Sequence, residues 1–425
     1  MNRRFTRREF GLMAGAAGVA ASGLAAPAIA QGKPKLVVIG GGPGGATVAR
    51  YVAKDSKGAI DVTLVEANAT HTTCFFSNLY LGGFRSFDSI THGYNKLASD
   101  YGITVMKGFA IGVDAARRTV SLAGGEKVSY DKLVVAPGID FMFDAYEGYS
   151  DAVTSTITHA WKAGPQTQVL KRQLEAMEDG GVFVIAPPPN PFRCPPGPYE
   201  RICMVAHYFK QHKPKSKIIA VDAKDKFSKQ GLFQEGWEAH YDGMIEWLPL
   251  KITGGVKAVD VKGMALRTGG ETIKGDVINV IPPQKAGNIA IAAGLANETG
   301  WCPIDPFTMA SSRVPHVYVI GDSSIAAQMP KSGFSANSQA KSCAMAIRHA
   351  LTGSKSFDPR YSNTCWSLIS SDNAVKVGAS YKATKEKIAK TDGFISKPGE
   401  DAAMRTATAE ESFGWYDGIA ADIFG

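Results

Sequence analysis

The chain has 425 residues, of which 20% are charged and 44% are apolar, and it contains 46 glycines and 22 prolines. This composition excludes a disordered tail, a coiled coil and a collagen-like rod, and it is typical of a globular protein with two or three domains. The net charge of +8 would suit a nucleic-acid partner, but much of that charge lies in the N-terminal segment.

The first thirty residues have the pattern of an export signal. Four arginines within the first eight residues precede a weakly apolar run, residues 11–26, and the cleavage-type segment Pro27-Ala28-Ile29-Ala30 follows. The paired arginines resemble a twin-arginine signal, so we expect residues 1–30 to be removed and the mature protein to act in the periplasm. A short membrane anchor is disfavoured because the run is too short and too weakly apolar to span a bilayer.

Removal of this segment changes what the charge implies. The segment carries four arginines and one glutamate, so the net charge falls from +8 to +5. No basic run with interleaved aromatic residues remains, and we expect no nucleic-acid partner and no membrane span. The six cysteines form no C-x-x-C motif and the eight histidines form no zinc-type cluster, so we also expect no metal site.

A dinucleotide-binding fingerprint follows the signal. Residues 35–39 predict a buried strand, which runs directly into Gly40, Gly42 and Gly45 at the start of a predicted helix. These glycines permit a tight turn, close approach of the pyrophosphate and close helix–strand packing, in that order. A second predicted strand ends at Glu66, whose carboxylate should accept hydrogen bonds from the adenosine ribose.

A second flavin-type element lies near the end of the predicted nucleotide domains. Residues 317–320 predict a strand that ends in Gly321-Asp322, and residues 329–338 lead into a helix predicted over about 337–351. The N-terminus of that helix would stabilise an anionic reduced flavin. Alternatives are a strand capped by an ordinary Gly-Asp turn and a capped surface helix. The residues expected to contact FAD here are Asp322, Lys331, Gly333 and Asn337.

The middle of the chain repeats the strand–helix–strand plan without the glycines. Strands are predicted at 181–185 and 218–222 and a helix at about 199–211, but the turn between them, 186–198, is rich in proline. Each proline removes an N–H group that a pyrophosphate would need. We therefore expect a Rossmann scaffold that does not bind NAD.

The predicted fold class is α/β, with two Rossmann-like dinucleotide-binding domains as in glutathione-reductase-like flavoproteins and a C-terminal α+β interface domain. The final region lacks the βαβ pattern and is predicted to serve as an interface, a lid or a dimerisation module. The expected boundaries are 33–148 and 276–352 for a discontinuous FAD-binding domain, 149–275 for the degenerate NAD-like domain and 353–425 for the C-terminal domain.

Three of the cysteines have positions that suggest chemistry. Cys194 lies in the proline-rich turn at the start of a predicted helix, which should lower its pKa. Cys365 opens the C-terminal domain, and a Cys194–Cys365 disulfide would be either a two-electron relay or a structural bridge. Cys74 follows the first βαβ unit and is either tethered to the flavin or simply buried. Cys203 and Cys343 are predicted to pack in the core.

With these motifs assembled, the sequence resembles the flavoprotein subunit of flavocytochrome c sulfide dehydrogenase over nearly the whole mature chain. The segments that carry the resemblance are residues 73–78, 92–94, 159–164, 185–188, 191–201 and 329–339. The most specific is Arg-Cys-Pro-Pro-Gly-Pro-Tyr-Glu-Arg at 193–201.

The resemblance implies an FAD cofactor bonded through Cys74, a redox disulfide Cys194–Cys365 above the flavin, Glu200 in proton handling and Trp415 near the disulfide. It further implies oxidation of sulfide to sulfur or polysulfide and a c-type cytochrome subunit as partner in a heterodimer. Three alternatives remain: a sulfide:quinone oxidoreductase, an accessory flavoprotein that reactivates a sulfur-carrier protein, and a non-catalytic flavin scaffold.

Overall fold

The computed structural model describes residues 32–425. The predicted export signal, residues 1–30, lies outside the described residues. Residues 34–425 form one compact unit, in which the three predicted domains pack against each other.

The first domain is built on a parallel sheet that contains the dinucleotide fingerprint. The strands of the first domain, only some of which belong to this sheet, are Lys35–Ile39 (β1), Asp61–Glu66 (β2), Thr70–Thr72 (β3), Thr91–Gly93 (β4), Thr104–Lys107 (β5), Ala110–Asp114 (β6), Thr119–Leu122 (β7), Lys127–Ser129 (β8), Lys132–Val135 (β9) and Ile139–Phe141 (β10). Its helices are Pro43–Ser56 (α1), Ser77–Leu81 (α2) and Asn95–Tyr101 (α3). Strand β1 lies between β2 and β9, with both neighbours parallel, and its apolar run is buried as expected for a central strand.

The middle domain has the second βαβ unit. Its elements are, in chain order, Pro165–Ala176 (α4), Val182–Ala186 (β11), Gly197–His212 (α5), Lys217–Val221 (β12), Gln230–Tyr241 (α6), Ile245–Leu248 (β13), Leu250–Thr253 (α7), Val256–Asp260 (β14), Ala265–Thr268 (β15), Thr272–Lys274 (β16) and Val277–Val280 (β17). The parallel sheet has the order β13-β12-β11-β17, and β14 to β16 form a separate antiparallel sheet.

One domain boundary differs from the expectation. Strand β17 pairs in parallel with β11, so the middle domain extends past Gly275, its expected last residue. The chain then returns to the first domain through Gln284–Ala286 (β18), Asn288–Ala292 (α8), Val317–Val319 (β19) and Gly333–Thr352 (α9). Strand β19 completes the first sheet, whose order is β19-β9-β1-β2-β5.

The C-terminal region is more regular than its sequence suggests. Its elements are Arg360–Ser370 (β20), Asn373–Ala383 (β21), Ile388–Ile395 (β22) and Ala402–Phe424 (α10). The strands form an antiparallel sheet in sequential order, and the aromatic segment Phe413-Gly414-Trp415-Tyr416 lies within α10. The side chain of Asp401 caps α10 by accepting a hydrogen bond from the Met404 N–H at 2.8 Å. Single-turn 3-10 helices occupy Asp88–Ile90, Phe143–Ala145, Asp151–Val153 and Gly321–Ser323.

The C-terminal region shares its core with both nucleotide domains. One apolar cluster contains Val37 of β1, Phe183 of β11, Leu368 of β20 and Tyr416 of α10, all of them buried. A second cluster joins α1 and α9 to Phe424 at the end of α10. The C-terminal sheet and helix are therefore fixed over the place where the two nucleotide domains meet.

Candidate active site

The glycine turn after β1 forms a cradle at the N-terminus of α1. Gly40 has a φ of +98°, a conformation that a side chain would strain. A Cβ atom on Gly45 would overlap the carbonyl oxygen of Gly40, so this glycine allows the close helix–strand packing that was predicted. Gly40 and Gly42 line a cleft of about 600 Å³ that runs along the carboxyl ends of the first sheet.

Glu66 lies in this cleft at the end of β2. Its carboxylate accepts hydrogen bonds from the Gly41 N–H at 2.6 Å and the Asn68 N–H at 2.9 Å. These contacts hold the carboxylate in a fixed position while leaving lone pairs for the hydroxyl groups of a ribose. The position fits the ribose contact predicted for Glu66, which stays a prediction.

Asp322 carries the clearest sign of a missing polar partner. It is buried, and its Oδ1 atom has no hydrogen-bond partner among the described residues. Burial raises the pKa of this carboxyl group, although Arg193, whose guanidinium lies 3.8 Å from Oδ2, opposes the rise. A buried acceptor with no donor is costly, and a hydroxyl-bearing ligand in the adjoining cleft would supply one.

The other predicted FAD contacts divide into two groups. Gly333 lines the cleft at the start of α9. Lys331 lies behind the cleft wall, where its Nζ atom donates to the carbonyl oxygens of Asp322 at 2.7 Å and Ser324 at 2.9 Å. Asn337 is outside the cleft lining: its amide donates to Thr47 Oγ1 and to the carboxylate of Asp422. Lys331 and Asn337 therefore hold structure in place and do not line the cleft.

A smaller cavity of about 60 Å³ adjoins the inner end of the cleft. Cys74, Cys194 and Cys365 all line it. Cys74, Arg193, Ser332 and Gly333 line both spaces, so the cavity and the cleft share one wall. Residues from the first domain, the proline-rich turn and the C-terminal sheet thus meet at a single point.

Cys194 is held in an unusual backbone conformation. Its φ is +58°, its N–H donates to the Lys331 carbonyl at 2.7 Å, and its carbonyl accepts from the Gly197 N–H at 2.8 Å. Such strain in a non-glycine residue is often found at functional sites. Cys194 and Cys365 are both free thiols in the structure.

The expected lowering of the Cys194 pKa is wrong. Helix α5 begins at Gly197, with Pro196 at the N-cap, so the thiol lies before the helix rather than in its first turn. Burial raises the pKa of Cys194 well above its usual value, and the neighbouring Cys365 and Glu200 raise it further. Burial also raises the pKa of Cys74 and of Cys365.

Glu200 lies on α5 at the wall of the cavity. Its carboxylate accepts from the Asn78 side-chain amide at 2.8 Å and from the Leu368 N–H at 3.1 Å. Burial raises the pKa of Glu200, while these hydrogen bonds oppose the rise. Asn78 in turn accepts from Arg201 Nε at 3.0 Å, which fixes the amide in the orientation that serves Glu200.

Three tryptophans, Trp161, Trp366 and Trp415, complete the cavity wall. Trp366 and Trp415 are stacked with ring centroids 5.0 Å apart. The Arg201 guanidinium lies 4.8 Å from the Trp161 ring. These rings keep the cavity largely apolar, and Trp415 has the position that the resemblance implied.

Sequence reasoning missed several members of the site. Asn78 and Arg201 fall in segments that carried the resemblance but received no role. Lys229 belongs to no motif, yet its Nζ atom donates to the Cys365 carbonyl at 3.1 Å. Only packing between distant segments brings Lys229 to the site, so no local pattern could have identified it.

The acid at the end of the second βαβ unit is bound by protein donors. Asp222 directly follows β12, at the position where an NAD-binding domain would have its ribose-binding acid. Its carboxylate instead accepts from the Tyr199 hydroxyl at 2.6 Å, Trp247 Nε1 at 2.9 Å and Lys224 Nζ at 2.7 Å. The Tyr199 ring stacks on Phe227, so aromatic side chains surround this carboxylate.

Cys203 and Cys343 are fully buried among core residues, which confirms their predicted packing role. Within residues 32–425, no group of three or more histidine, cysteine or acidic residues could hold a metal ion. Over the same residues, no helix is long and apolar enough to cross a membrane.

The fold and the cleft define the class of this protein. A family model described as pyridine nucleotide-disulphide oxidoreductase matches residues 34–171. The solved structure of a sulfide:quinone oxidoreductase from Aquifex aeolicus has a TM-score of 0.72 at 17% identity and covers 92% of this chain and 91% of its own. A putidaredoxin reductase–putidaredoxin complex gives a TM-score of 0.65 at 16% identity, covering 89% of this chain and 93% of that one. The chain is a two-nucleotide-domain flavoprotein by fold.

More specific comparisons identify the family. The model for the central region of the sulfide dehydrogenase [flavocytochrome c] flavoprotein chain matches residues 167–282, and the flavocytochrome c sulphide dehydrogenase flavin-binding model matches residues 357–424. The Chlorobaculum thiosulfatiphilum sulfide dehydrogenase [flavocytochrome c] flavoprotein chain is 49% identical over 47 residues, which is 11% of this chain and 96% of that relative. The chain belongs to the family of flavocytochrome c sulfide dehydrogenase flavoprotein chains.

The mitochondrial sulfide:quinone oxidoreductases are more distant relatives. The one from Dictyostelium discoideum is 23% identical over 304 residues, which is 68% of this chain and 65% of that relative. The Aquifex aeolicus sulfide-quinone reductase is 30% identical over 174 residues, covering 41% and 38%. This chain therefore spans about 65% of the length of the first of these curated relatives.

Proposed function

We propose that this chain binds FAD and oxidises sulfide through a redox pair formed by Cys194 and Cys365. The observation that carries the proposal is that both thiols line one cavity of about 60 Å³, which shares a wall with the dinucleotide cleft. A cavity of this size admits a few water-sized groups. It suits hydrosulfide and short sulfur chains.

The residues of the cleft fit FAD. The glycine cradle suits a pyrophosphate, Glu66 suits the adenosine ribose, and the unpartnered Oδ1 of Asp322 suits a ribityl hydroxyl. When bound, FAD would supply a two-electron acceptor next to the cysteine cavity. Cys74 lines both spaces, and this position supports the proposal that it bonds to the flavin.

The cysteine pair can perform the sulfur chemistry by thiol–disulfide exchange. Hydrosulfide attacks one sulfur of the Cys194–Cys365 disulfide, so that cysteine becomes a persulfide and the other leaves as a thiolate. A second hydrosulfide then takes the outer sulfur away as a disulfide anion. The pair is left in its two-electron-reduced form, and return to the disulfide releases those two electrons.

Glu200 has the properties of a proton holder in this sequence. Burial raises its pKa, so its carboxyl group can retain a proton closer to neutral pH than an exposed glutamate could. The Asn78 amide and the Leu368 N–H keep the carboxyl group at the cavity wall. A persulfide or thiolate formed there has a nearby proton source.

For the electron acceptor, we propose a c-type cytochrome subunit bound in a heterodimer. The family-model matches over residues 167–282 and 357–424 support this choice. A quinone is the second candidate, since sulfide:quinone oxidoreductases are also similar to this chain. Export by the twin-arginine route, proposed from residues 1–30, would place the protein in the periplasm, where c-type cytochromes are matured.

Turnover with the two acceptors tests this function. We expect sulfide to reduce a c-type cytochrome but not a soluble quinone analogue in the presence of the purified protein. Cys194→Ser and Cys365→Ser should lower the rate by at least about a hundredfold, the scale expected for loss of a covalent catalyst. Cys203→Ser, which changes a buried core thiol, should retain most of the activity. Undiminished sulfide oxidation by Cys194→Ser would refute the redox-pair hypothesis.

Mass spectrometry of the denatured mature chain tests the flavin linkage. We expect one FAD to remain on the peptide that contains Cys74 and a Cys194–Cys365 linked peptide to appear under non-reducing conditions. Cys74→Ala should still bind FAD, because the cradle and Asp322 are unchanged, but should release it on denaturation. Free FAD from the unaltered protein would contradict the covalent attachment.

A further inference from the structure

We propose that Lys229 is a positioning residue that keeps the sulfur of Cys365 anionic when the Cys194–Cys365 pair is reduced. The proposal deepens the proposed function and rests on it. It concerns a side chain that no motif identified, and it holds whichever of the two cysteines receives the incoming sulfur, because both a thiolate and a persulfide anion at Cys365 need a counter-charge.

The first observation is where Lys229 is held. The residue is buried, with 6% of its surface exposed, and its backbone has a φ of +62° immediately before α6. Its Nζ atom donates to the Cys365 carbonyl at 3.1 Å, to Ser367 Oγ at 2.8 Å and to the Val375 carbonyl at 3.4 Å. Strands β20 and β21 therefore fix the ammonium group beside Cys365.

The second observation is that these three acceptors are neutral. In the part of the chain that the structure describes, no carboxylate pairs with Lys229, although a buried ammonium usually requires an anion. Burial lowers the pKa of Lys229 to about 8, and the titratable groups that oppose this fall when they are anionic are Cys365 on β20, and Glu200, Cys194 and Cys203 around α5. Glu200 is already bound by Asn78 and by the Leu368 N–H. The partner that Lys229 lacks is supplied when a cysteine sulfur becomes anionic.

Lys229 is also the cation that acts on the thiol of Cys365. Burial raises the pKa of its thiol, and Lys229 is the cation that opposes this rise, with Asn363 and Ser332 contributing hydrogen bonds and Glu200 acting in the opposite direction. The Asn363 amide lies 3.4 Å from the sulfur. A thiolate is the reactive form of cysteine, so without the lysine the pair would be slower to exchange sulfur near neutral pH.

The test measures the Cys365 thiol directly in full-length protein. In a Cys194→Ser background, the thiolate absorbance near 240 nm is titrated with pH, and the Cys194→Ser/Cys365→Ser protein is subtracted to remove the other thiols. Adding Lys229→Met should raise the pKa of Cys365 by at least one unit, so its alkylation at pH 8 should slow about tenfold or more. Lys229→Arg should stay close to the parent because the charge is kept.

Two further variants separate charge from folding. Lys229→Gln keeps amide donors for the carbonyl oxygens but removes the charge, so it should titrate like Lys229→Met even if the methionine variant folds poorly. Lys171→Met removes another buried lysine, one that contacts the Leu81 carbonyl and Glu175, and should leave the Cys365 titration unchanged. An unchanged titration in Lys229→Gln would overturn the proposal. Because these titrations require no turnover, they can succeed even if the protein fails to oxidise sulfide.

Discussion

At the scale of single residues, burial decides what the cysteines and charged groups of this protein can do. Burial raises the pKa of Cys194, Cys203 and Cys343, although Cys194 is only partly buried and the other two are fully buried. Cys194 differs from the other two because it borders a cavity instead of packed side chains. A raised pKa is therefore insufficient to identify a reactive cysteine, and an adjacent cavity is the property that distinguishes Cys194 from the other two.

His159 gives a residue-scale prediction about acid stability. It is buried, and burial, with Lys162 and two arginines adding to the effect, lowers its pKa to about 3. Its Nδ1 atom accepts from the Trp161 N–H at 3.1 Å, which requires that nitrogen to be unprotonated. The folded protein thus binds fewer protons than the unfolded chain below pH 6.5. The stabilisation is complete above pH 6.5 and falls as the pH decreases toward 3.

We expect the free energy of unfolding to fall by about 2 to 3 kcal/mol as the pH decreases from 6.5 to 4, because His159 takes up a proton when the protein unfolds. Denaturant unfolding at several pH values measures it. His159→Asn keeps an acceptor for the Trp161 N–H and should reduce the pH dependence by that amount. His349→Asn, at an exposed histidine near the end of α9, is the control and should follow the parent. Identical pH profiles for all three proteins would show that His159 is not the titrating group.

At the scale of elements, the C-terminal helix α10 connects the cavity to the first domain. It supplies Trp415 to the cavity wall, and its last turn is fixed by Asp422. That carboxylate accepts from Tyr51 at 2.7 Å, Asn337 at 2.8 Å and Lys341 at 2.8 Å. Burial alone would raise the pKa of Asp422, but these hydrogen bonds hold it below its usual value. Asn337, expected at the cofactor, has its role here.

Replacement of Asp422 should therefore loosen the helix that closes the cavity. Asp422→Ala leaves Tyr51, Asn337 and Lys341 without their shared acceptor and should lower the unfolding free energy by about 1 to 3 kcal/mol. Asp417→Ala removes a carboxylate on the same helix that is 73% exposed and pairs with Arg85, so it should cost less than about 0.5 kcal/mol. Thermal and denaturant unfolding compare the two, and equal effects would exclude the Asp422 contacts as a specific anchor.

At the scale of the whole molecule, the two Rossmann-like domains have divided their roles. The first keeps its glycine cradle and Glu66, whereas the second has a proline-rich turn that leads to Cys194. Its acid at the corresponding strand end, Asp222, accepts hydrogen bonds from Tyr199, Trp247 and Lys224. The second scaffold now positions a cysteine against the cleft of the first.

This division predicts that nicotinamide nucleotides do not bind. Prolines in the 186–198 turn cannot donate N–H groups to a pyrophosphate. The Asp222 carboxylate is already bound by protein donors, so it is not free to bind a ribose. We expect calorimetric titration with NADH and NADPH to show no saturable binding up to millimolar concentration, and NADH to leave the flavin absorbance unchanged under anaerobic conditions. Sulfide added afterwards serves as the positive control for flavin reduction. Saturable micromolar binding of either nucleotide would contradict this interpretation.

Much of the first domain could be predicted from the sequence because its signals are local. The β1 strand, the three glycines and Glu66 lie within one βαβ unit, and hydrophobic periodicity with glycine spacing specifies such a unit directly. The central strands and the proline-rich turn were predictable for the same reason. The position of β17 was not, because a short apolar strand gives no indication of which of two sheets it joins.

The sequence by itself determined the local chemistry: which turn can hold a phosphate, which turn cannot, and where the cysteines lie along the chain. Only the tertiary structure decided which thiols border a common cavity, that α5 begins after Cys194 and leaves its pKa raised, and that Asn337 binds Asp422. Tertiary structure also brought Lys229 to Cys365. These properties depend on burial and on contacts between residues far apart in the chain, and desolvation is set by all the surrounding segments together.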